Sequence, residues 1–477
     1  SARTDTGLFM RDVSVRRRPR PVSAIAASMV ALLGACATYQ PHPLDDRSLL
    51  LVDPGVIHVE MAKGQGRGGT DHHEFNPADG LDPIEAGIIA VVNNPDLKAQ
   101  RAKLDVAGAQ AFAAGLLPDP QISAGVDKPT GHTAGLVNAW SLGLGYDIIP
   151  LVTRQARIDA EHQGQEKVRL DLLWQEWQVI QQARSLAVRL KLEEQRLALL
   201  QTVLVLYQER YRRSAAALEQ GDITLDVNGT DLTALVDTLS QINKLEQTHN
   251  QTWHDFDLLL GLDPAARPAI ATLPRPATLD ARVLKARLQQ LPGLRPDLLA
   301  LKAGYQSQEA RVRGAILAQF PSLSIGINRA SDTSDVKTIG FSVSLALPLF
   351  SGNRGAIAIE RATREQLRQE YHARLAQAAT DVDRLLQLQE ILQRQLDNLQ
   401  TYLPRLKILV DRASTAYSRG DIEALTFLNM ESTWVNMRLE QISLEQSSWE
   451  NHIALKALLA LPGYPETPLT TSAANGH

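Results

Sequence analysis

The sequence predicts a mainly helical fold with a small β part: long helical hairpins, present twice through internal duplication, with two β-hairpins set between them. Three observations predict it. No glycine interrupts the run between Gly355 and Gly420, and within it Leu385, Leu388, Leu392, Leu396, Leu399, Leu403, Leu406 and Val410 recur at spacings of 3 and 4. That is the apolar seam of a helix packed lengthwise on others. At 1.5 Å per residue, a helix of about 65 residues is roughly 100 Å long. Second, the chain repeats itself at a period of about 200 residues. Asn94-Pro95-Asp96-Leu97 returns as Arg295-Pro296-Asp297-Leu298, and Pro120–Val126 as Pro321–Ile327. Ile149-Pro150-Leu151 returns as Leu347-Pro348-Leu349, and Gln220-Gly221-Asp222-Ile223 as Arg419-Gly420-Asp421-Ile422. Such a period is too long for a solenoid unit, so each copy is half of one domain. Third, two pairs of short segments alternate apolar with small or polar residues, the period-2 pattern of strands.

Taken in order, the chain opens with Arg11, Arg16, Arg17, Arg18 and Arg20 before an apolar run from Val22 to Leu33. This is the layout of a secretory signal, predicted over 1–35, with Met10 as the native start and residues 1–9 an upstream extension. The run is too short to span a membrane. It ends at Leu33-Gly34-Ala35-Cys36, and Cys36 is the chain's single cysteine, so no internal disulfide forms. Its position resembles a bacterial lipobox, which makes Cys36 a lipidation site. Residue 37 is Ala rather than Asp, which in such lipoproteins suggests the outer membrane. Residues 36–81 read as irregular, broken by Pro41, Pro43, Pro54 and Gly64–Gly69. His72 and His73 sit there without further ligands at fixed spacing, too little for a metal site.

The first repeat is predicted over 82–262. It has a helix from Asp82 to about Leu117, strands at 120–127 and 139–148, a long helix from Thr153 to Glu219, a turn at Gly221-Asp222 and a return helix from about Thr224 to Leu260. Leu173, Trp177, Ile180 and Ala187 mark the seam of the long helix. In the second strand Trp140, Leu142, Leu144 and Tyr146 point one way, and Ser141, Gly143, Gly145 and Asp147 the other. A Pro-rich connection over 263–294 carries a short helix, Asp280 to Gln290. The second repeat, 295–463, has strands at 322–330 and 338–347, with Phe341, Val343, Leu345 and Leu347 on one face. Pro404 falls inside its long helix, where it removes a hydrogen bond and bends the rod. A polar tail over 464–477 is predicted to be disordered. Strands of 8–10 residues with one apolar face suit a tilted membrane crossing. Four cannot close a barrel, and open edges are not tolerated in lipid, so closure falls to further copies of the chain.

Signal, lipobox, two copies of helix–hairpin–long helix–turn–helix, and a Pro-rich joint together resemble the TolC family of outer-membrane efflux proteins, within it the lipoprotein members that serve drug or heavy-metal pumps. The resemblance covers about 37–463. It is carried by Pro95-Asp96-Leu97 and Pro296-Asp297-Leu298, by Pro118-Asp119-Pro120 and Phe320-Pro321, by Pro348–Arg354, and by the two Gly-Asp-Ile turns. It implies a homotrimer whose twelve strands close a β-barrel in the outer membrane and whose helices form a tunnel through the periplasm. It implies a passive duct in a tripartite efflux system, with a periplasmic adaptor (membrane fusion) protein and an inner-membrane pump of RND type as partners. Gly221, Asp222, Gly420 and Asp421 would meet the adaptor, and Asp226, Thr230, Thr426 and Asn429 stand where the family narrows its tunnel. The second repeat offers no carboxylate there, so its part of a gate is less cation-selective. Asp222 and Asp421 have a plainer role open to them, as caps of the helices after the turns.

No HExxH, GxSxG, phosphate loop or CxxC occurs, so no catalytic residue, metal ligand or cofactor is expected. The net charge of -4, without a basic stripe interleaved with aromatics, argues against nucleic acid. Charges such as Glu360, Arg361, Arg364 and Glu365 read as a solvated helix face with i,i+4 pairs. The competing reading is a periplasmic adaptor or structural coiled-coil lipoprotein. An adaptor carries one long hairpin and a strand-rich domain, whereas two hairpins occur here.

Overall fold

A computed structural model describes residues 39–47, 50–52, 80–130 and 135–461. The signal segment, Cys36, His72, His73 and the C-terminal tail lie outside the described residues. The chain divides into two units, residues 1–49 and 50–477. Residues 39–47 of the first are exposed and form no helix or strand, and the Arg47 amide donates to the Asp45 carboxylate at 3.1 Å.

The second unit holds the duplication. Its first half comprises α1 (Pro83–Asn93), α2 (Pro95–Gly115), β1 (Gln121–Asp127), β2 (Ala139–Asp147), the single turn α3 (Ile149–Val152), α4 (Arg154–Glu219) and α5 (Leu225–Leu260). The second half comprises α6 (Ala281–Leu288), α7 (Pro296–Leu317), β3 (Ser322–Ser331), β4 (Lys337–Ala346), α8 (Arg354–Ser418) and α9 (Ala424–Leu458). Two expectations are corrected. The single helix from Asp82 to Leu117 is two helices, because Pro95 forces Asn94 out of the helical region, to ψ 125°. Asp82 still starts the first, in a capping box with Glu85. The short helix of the connection ends at Leu288, and Leu291–Gly293 form a 3-10 turn. Pro404 does not end α8, which runs on to Ser418.

The return helices end on side chains from elsewhere, which satisfies carbonyls that a helix leaves unpaired. Asn93 donates to the Leu260 and Gly261 carbonyls at 2.8 and 2.9 Å, and Asn94 to Leu259 at 2.8 Å. Gly261 has φ +66°, and a Cβ there would sit 2.7 Å from the Asn93 amide, so only glycine fits. At the equivalent end of α9, Arg287 donates to Leu459 and Ala460 at 3.3 and 3.0 Å. The connection between the repeats is strapped to α8. Gln389 exchanges two hydrogen bonds with the Leu279 backbone, at 3.2 and 3.0 Å.

The core is drawn out along the helices. Leu81, Ile89, Ala187, Leu190, Phe256 and Leu260 form one cluster at the α1–α4–α5 junction, and Leu284, Leu298, Val382, Leu455 and Leu459 a second at the equivalent junction of the other repeat. The seam residues of α4, Leu173, Trp177, Ile180 and Ala187, are buried. In α8 only Leu385, Leu392 and Val410 of the predicted seam are fully buried, and the others are half-buried. The charges at 360–365 are not a simple solvated face. Arg364 reaches across to Glu309 of α7 at 3.1 Å, and Glu360 accepts from Gln308 of α7.

The four strands make one antiparallel sheet in the order β1-β2-β3-β4, so β2 and β3 join the repeats, and β1 and β4 are open edges. The register puts like residues in rungs. Ile122, Leu144, Ile327 and Phe341 form one apolar rung, and Tyr146, Ile325 and Val343 belong to another. The intervening rungs lie on the opposite face. One contains Ser123, Gly143, Asn328 and Gly340, and another Gln121, Gly145, Gly326 and Ser342. A Cβ at Gly143 would meet the Ser123 hydroxyl at 2.5 Å, and one at Gly326 the Ser342 hydroxyl at 2.7 Å. At these glycines a side chain would collide with the hydroxyl on the neighbouring strand, so the strands approach closely there.

Candidate functional site

Both long hairpins turn in the same way. The Gly221 amide donates to the Leu218 carbonyl at 3.0 Å, and the Asp222 amide to Ala217 at 2.9 Å. Gly420 and Asp421 repeat this on Tyr417 and Ala416, at 3.0 and 2.9 Å. This pair of bonds ends a helix on a residue in the left-handed region, here Gly221 at φ +79° and Gly420 at φ +78°. Nothing lies within 4 Å of a Cβ built at either glycine, so the turns are open on their outer side. Asp222 and Asp421 are exposed and do not cap the next helices. The N-cap positions are Thr224 and Glu423, neither with a side-chain capping bond. The chain needs two more residues after each aspartate before it regains helical geometry.

Asp226, Thr426 and Asn429 are exposed, and Thr230 is half-exposed. Thr230 donates to the Asp226 carbonyl at 2.7 Å, one helical turn below it. The Thr224 hydroxyl and, less strongly, the amides of Asp226 and Val227 hold the Asp226 carboxyl below the usual range. Thr426 and Asn429 stand on α9 in the equivalent stretch of the second hairpin. The structure thus presents four polar side chains just past the turns.

Above them lies a cluster that sequence reasoning missed. The Arg210 guanidinium of α4 donates to Asp231 of α5 at 3.2 Å and to Glu431 of α9 at 3.1 Å. All three side chains are at least 90% buried. The guanidinium also lies 5.5 and 5.0 Å from the rings of Tyr417 and Phe427, which stack with centroids 5.4 Å apart. Burial raises the Glu431 carboxyl above its ordinary value, and Arg210 opposes that shift. Burial beside these carboxylates pushes the Tyr207 phenol up to about 12. Five side chains from four helices thereby lock the two hairpins together near their ends. One signal for this exists in the sequence. Arg210, Asp231 and Glu431 each stand ten or eleven residues from a turn glycine, which puts them at one height.

At the other end, the apolar face of the sheet has no partner among the described residues. Ile339 is 78% and Phe341 70% exposed, and Ile122, Leu142, Leu144, Ile327, Val343 and Leu345 are exposed with them. An apolar surface of this extent marks a place that water does not cover. Among the described residues no helix is long and apolar enough to cross a membrane, and no cluster of side chains suits a metal ion.

Residues 288–461 match the model of outer membrane efflux proteins. The second repeat of this chain is thus similar to the outer membrane efflux proteins. It is 26% identical over 447 residues to the pyoverdine export outer membrane protein OpmQ of Pseudomonas aeruginosa, covering 86% of this chain and 90% of OpmQ. It is 25% identical over 271 residues to the cation efflux system protein CusC of Escherichia coli, 52% of this chain and 57% of CusC. It is 23% identical over 268 residues to the probable outer membrane lipoprotein SilC of Salmonella typhimurium, 52% of this chain and 56% of SilC. The chain thus spans little more than half the length of CusC and SilC in these matches. The fold agrees with efflux-family structures. A crystal structure of CusC superposes with a TM-score of 0.67 at 21% identity, covering 87% of this chain and 98% of CusC. The Campylobacter jejuni outer membrane channel CmeC superposes with a TM-score of 0.68 at 16% identity, covering 90% and 95%.

Proposed function

We propose that this chain is the outer-membrane channel of a tripartite efflux system. Three copies close a 12-stranded barrel from their four-stranded sheets, and their hairpins form the tunnel below it. The observation that carries this reading is the sheet, with an apolar outer face, a face of small residues and two open edges. Lipid covers the apolar face, and neighbouring copies cover the edges. The duct is passive and non-enzymatic, and an inner-membrane pump of RND type supplies the energy. Cys36 carries the lipid anchor. The open turns at Gly221-Asp222 and Gly420-Asp421 receive the periplasmic adaptor, and Asp226, Thr230, Thr426 and Asn429 line the narrowing just inside. The division into a first repeat over 82–262, a connection over 263–294 and a second repeat over 295–463 serves this assembly. CusC is a cation efflux protein and OpmQ a pyoverdine exporter by name, and the cargo here is drawn from heavy metals or drugs.

The test is the mass of the mature, detergent-extracted protein by light scattering with detergent subtraction, with mass spectrometry of Cys36. Three copies per particle with an acylated Cys36 are expected. A monomer or a water-soluble hexamer would turn the reading toward a periplasmic adaptor.

A further inference from the structure

The apolar face of the sheet carries charge of one sign. Its rungs run from Leu323 and Leu345, next to the helices, to Val126, Trp140, Ser331 and Lys337 beside the hairpin turns. Arg329 stands in the rung just below the last, between Leu142 on β2 and Ile339 on β4. Arg329 and Lys337 are the only charged residues in these rungs. The opposite face carries the reverse sign, with Asp127 at one end and Asp147 at the other.

Arg329 is exposed, and among the described residues no carboxylate, hydroxyl or carbonyl receives its guanidinium. Lys337 has the Asp335 carboxylate at 4.0 Å, with both side chains more than half exposed, a contact of little worth. β3 is flanked by β2 and β4 of its own chain, so the open edges of the sheet lie away from Arg329. A neighbouring copy joined at those edges does not reach it. The surroundings of this guanidinium are therefore Leu142, Ile339 and whatever covers the face.

An arginine facing lipid is costly at the membrane centre and almost without cost at the boundary. Its height decides which applies. Rungs recur about 6.6 Å apart along a strand, which is about 5 Å in height at a tilt of about 40°. The Phe341 rung is the middle one of the face, and Arg329 stands one rung above it. An extended arginine reaches roughly 6 Å further. The guanidinium thus comes to about 11 Å from the centre, near the edge of an apolar band about 25 Å tall. Trp140, one rung higher, is an aromatic of the kind that marks this boundary. The helices leave the sheet at its other end, so under the proposed function this boundary belongs to the outer leaflet. A guanidinium placed there without a protein acceptor offers a planar fork of donors that fits two oxygens of a phosphate.

We propose that Arg329, assisted by Lys337, binds the phosphate of a glycolipid in the outer leaflet, whose acyl chains lie along Leu142, Ile339 and Phe341. The proposal rests on the outer-membrane reading above, which calls for an apolar face but for no cation on it.

The test titrates the full chain in detergent with lipid A, and with lipid A stripped of its phosphate, and reads binding by native mass spectrometry. Wild type is expected to hold the phosphorylated form about tenfold more tightly than the stripped form. Arg329→Gln should lose that preference, Arg329→Lys should keep part of it, and Lys337→Gln should weaken it less than Arg329→Gln does. Arg329→Gln removes an exposed charge that no protein group pairs, so folding is not at risk, and light scattering checks the assembly. Inorganic phosphate at the same concentration should not displace the lipid, and displacement would overturn the proposal in favour of a free anion. Equal affinities of wild type and Arg329→Gln for lipid A, in a sample that is trimeric, would overturn the site and leave the channel reading standing. A sample that is not trimeric and stays dispersed without detergent would end the proposed function, and the lipid site with it.

Discussion

Arg210 of α4 and Glu431 of α9 meet at 3.1 Å across the two hairpins, and the same guanidinium donates to Asp231 at 3.2 Å. A buried cation between two buried carboxylates contributes little net stability against an apolar substitute, yet removing one partner is costly. Arg210→Met is therefore expected to lower stability by about 3–5 kcal/mol, because two buried carboxylates then repel each other. Adding Asp231→Asn and Glu431→Gln should recover most of the loss. Urea unfolding of wild type, Arg210→Met and the triple variant checks this, and equal midpoints for wild type and Arg210→Met would mean that the cluster does not lock the hairpins.

The turn glycines are a separate matter. Gly221 and Gly420 have φ near +79°, where a Cβ strains the backbone, but their surroundings are open. Gly420→Ala is expected to cost about 1 kcal/mol, paid in local opening of the turn. Gly420→Asn should cost less, since asparagine tolerates the left-handed region. Trypsin cleavage at Arg419, followed by mass spectrometry, measures that opening directly. The order of rates should be alanine, asparagine, glycine.

Much of this architecture is legible in the sequence because its causes are local and repetitive. The Leu385–Val410 spacing predicts α8, and the alternation at Trp140–Tyr146 predicts β2, since helix and strand periods differ. The break at Asn94 was missed because Pro95 follows a run that is otherwise apolar and helical. The Arg210 cluster was hidden for a different reason. Its members lie 21 and 221 residues apart, and an arginine in Glu209–Arg213 looks like any other on a solvated face. The spacing from the turns sets their height, but only the fold puts α4, α5 and α9 side by side. The pairing of Arg364 with Glu309, rather than with a neighbour on its own helix, escaped for the same reason.

The Asp226 carboxyl tests the proposed narrowing. Three copies would set three carboxylates around one axis, and such a ring selects cations. Thr224 holds this carboxyl below the usual range, so it stays ionised as pH falls through the values at which an ordinary aspartate is protonated. The reversal potential of the reconstituted channel should therefore stay cation-selective in mild acid. Thr224→Val should shift the loss of selectivity to higher pH, and Asp226→Asn should abolish selectivity at every pH. Unchanged selectivity in Asp226→Asn would remove Asp226 from the gate.

His452 gives the structure a pH dependence near the connection. Burial, chiefly, and the positive charge of Lys456 hold its imidazole below the ordinary histidine range, and the Ala277 backbone opposes the shift. The folded state then binds this proton less readily than the unfolded chain does. The associated stability is present above the unfolded value of about 6.5 and is lost as pH falls below it. Thermal midpoints should drop between pH 7 and pH 5.5, and less so in His452→Gln, which cannot take a proton. Parallel curves for the two proteins would assign the pH dependence to other groups.

The rung Ile122, Leu144, Ile327 and Phe341 lies on the exposed apolar face of the sheet. If lipid covers it, a charge at Phe341 must be carried into hydrocarbon, at a cost of about 2–4 kcal/mol near mid-membrane and less toward the interface. The same change on the opposite face faces water or the barrel interior, so Ser344→Lys should be mild. Phe341→Lys is thus expected to reduce the amount of assembled protein in the outer-membrane fraction, and Ser344→Lys to leave it near wild type. The contrast between faces matters more than either result alone. A soluble sheet buried on another protein would also reject lysine at 341, but it would not need detergent to stay dispersed. Measuring both variants with and without detergent separates lipid from a protein partner as the cover of this face.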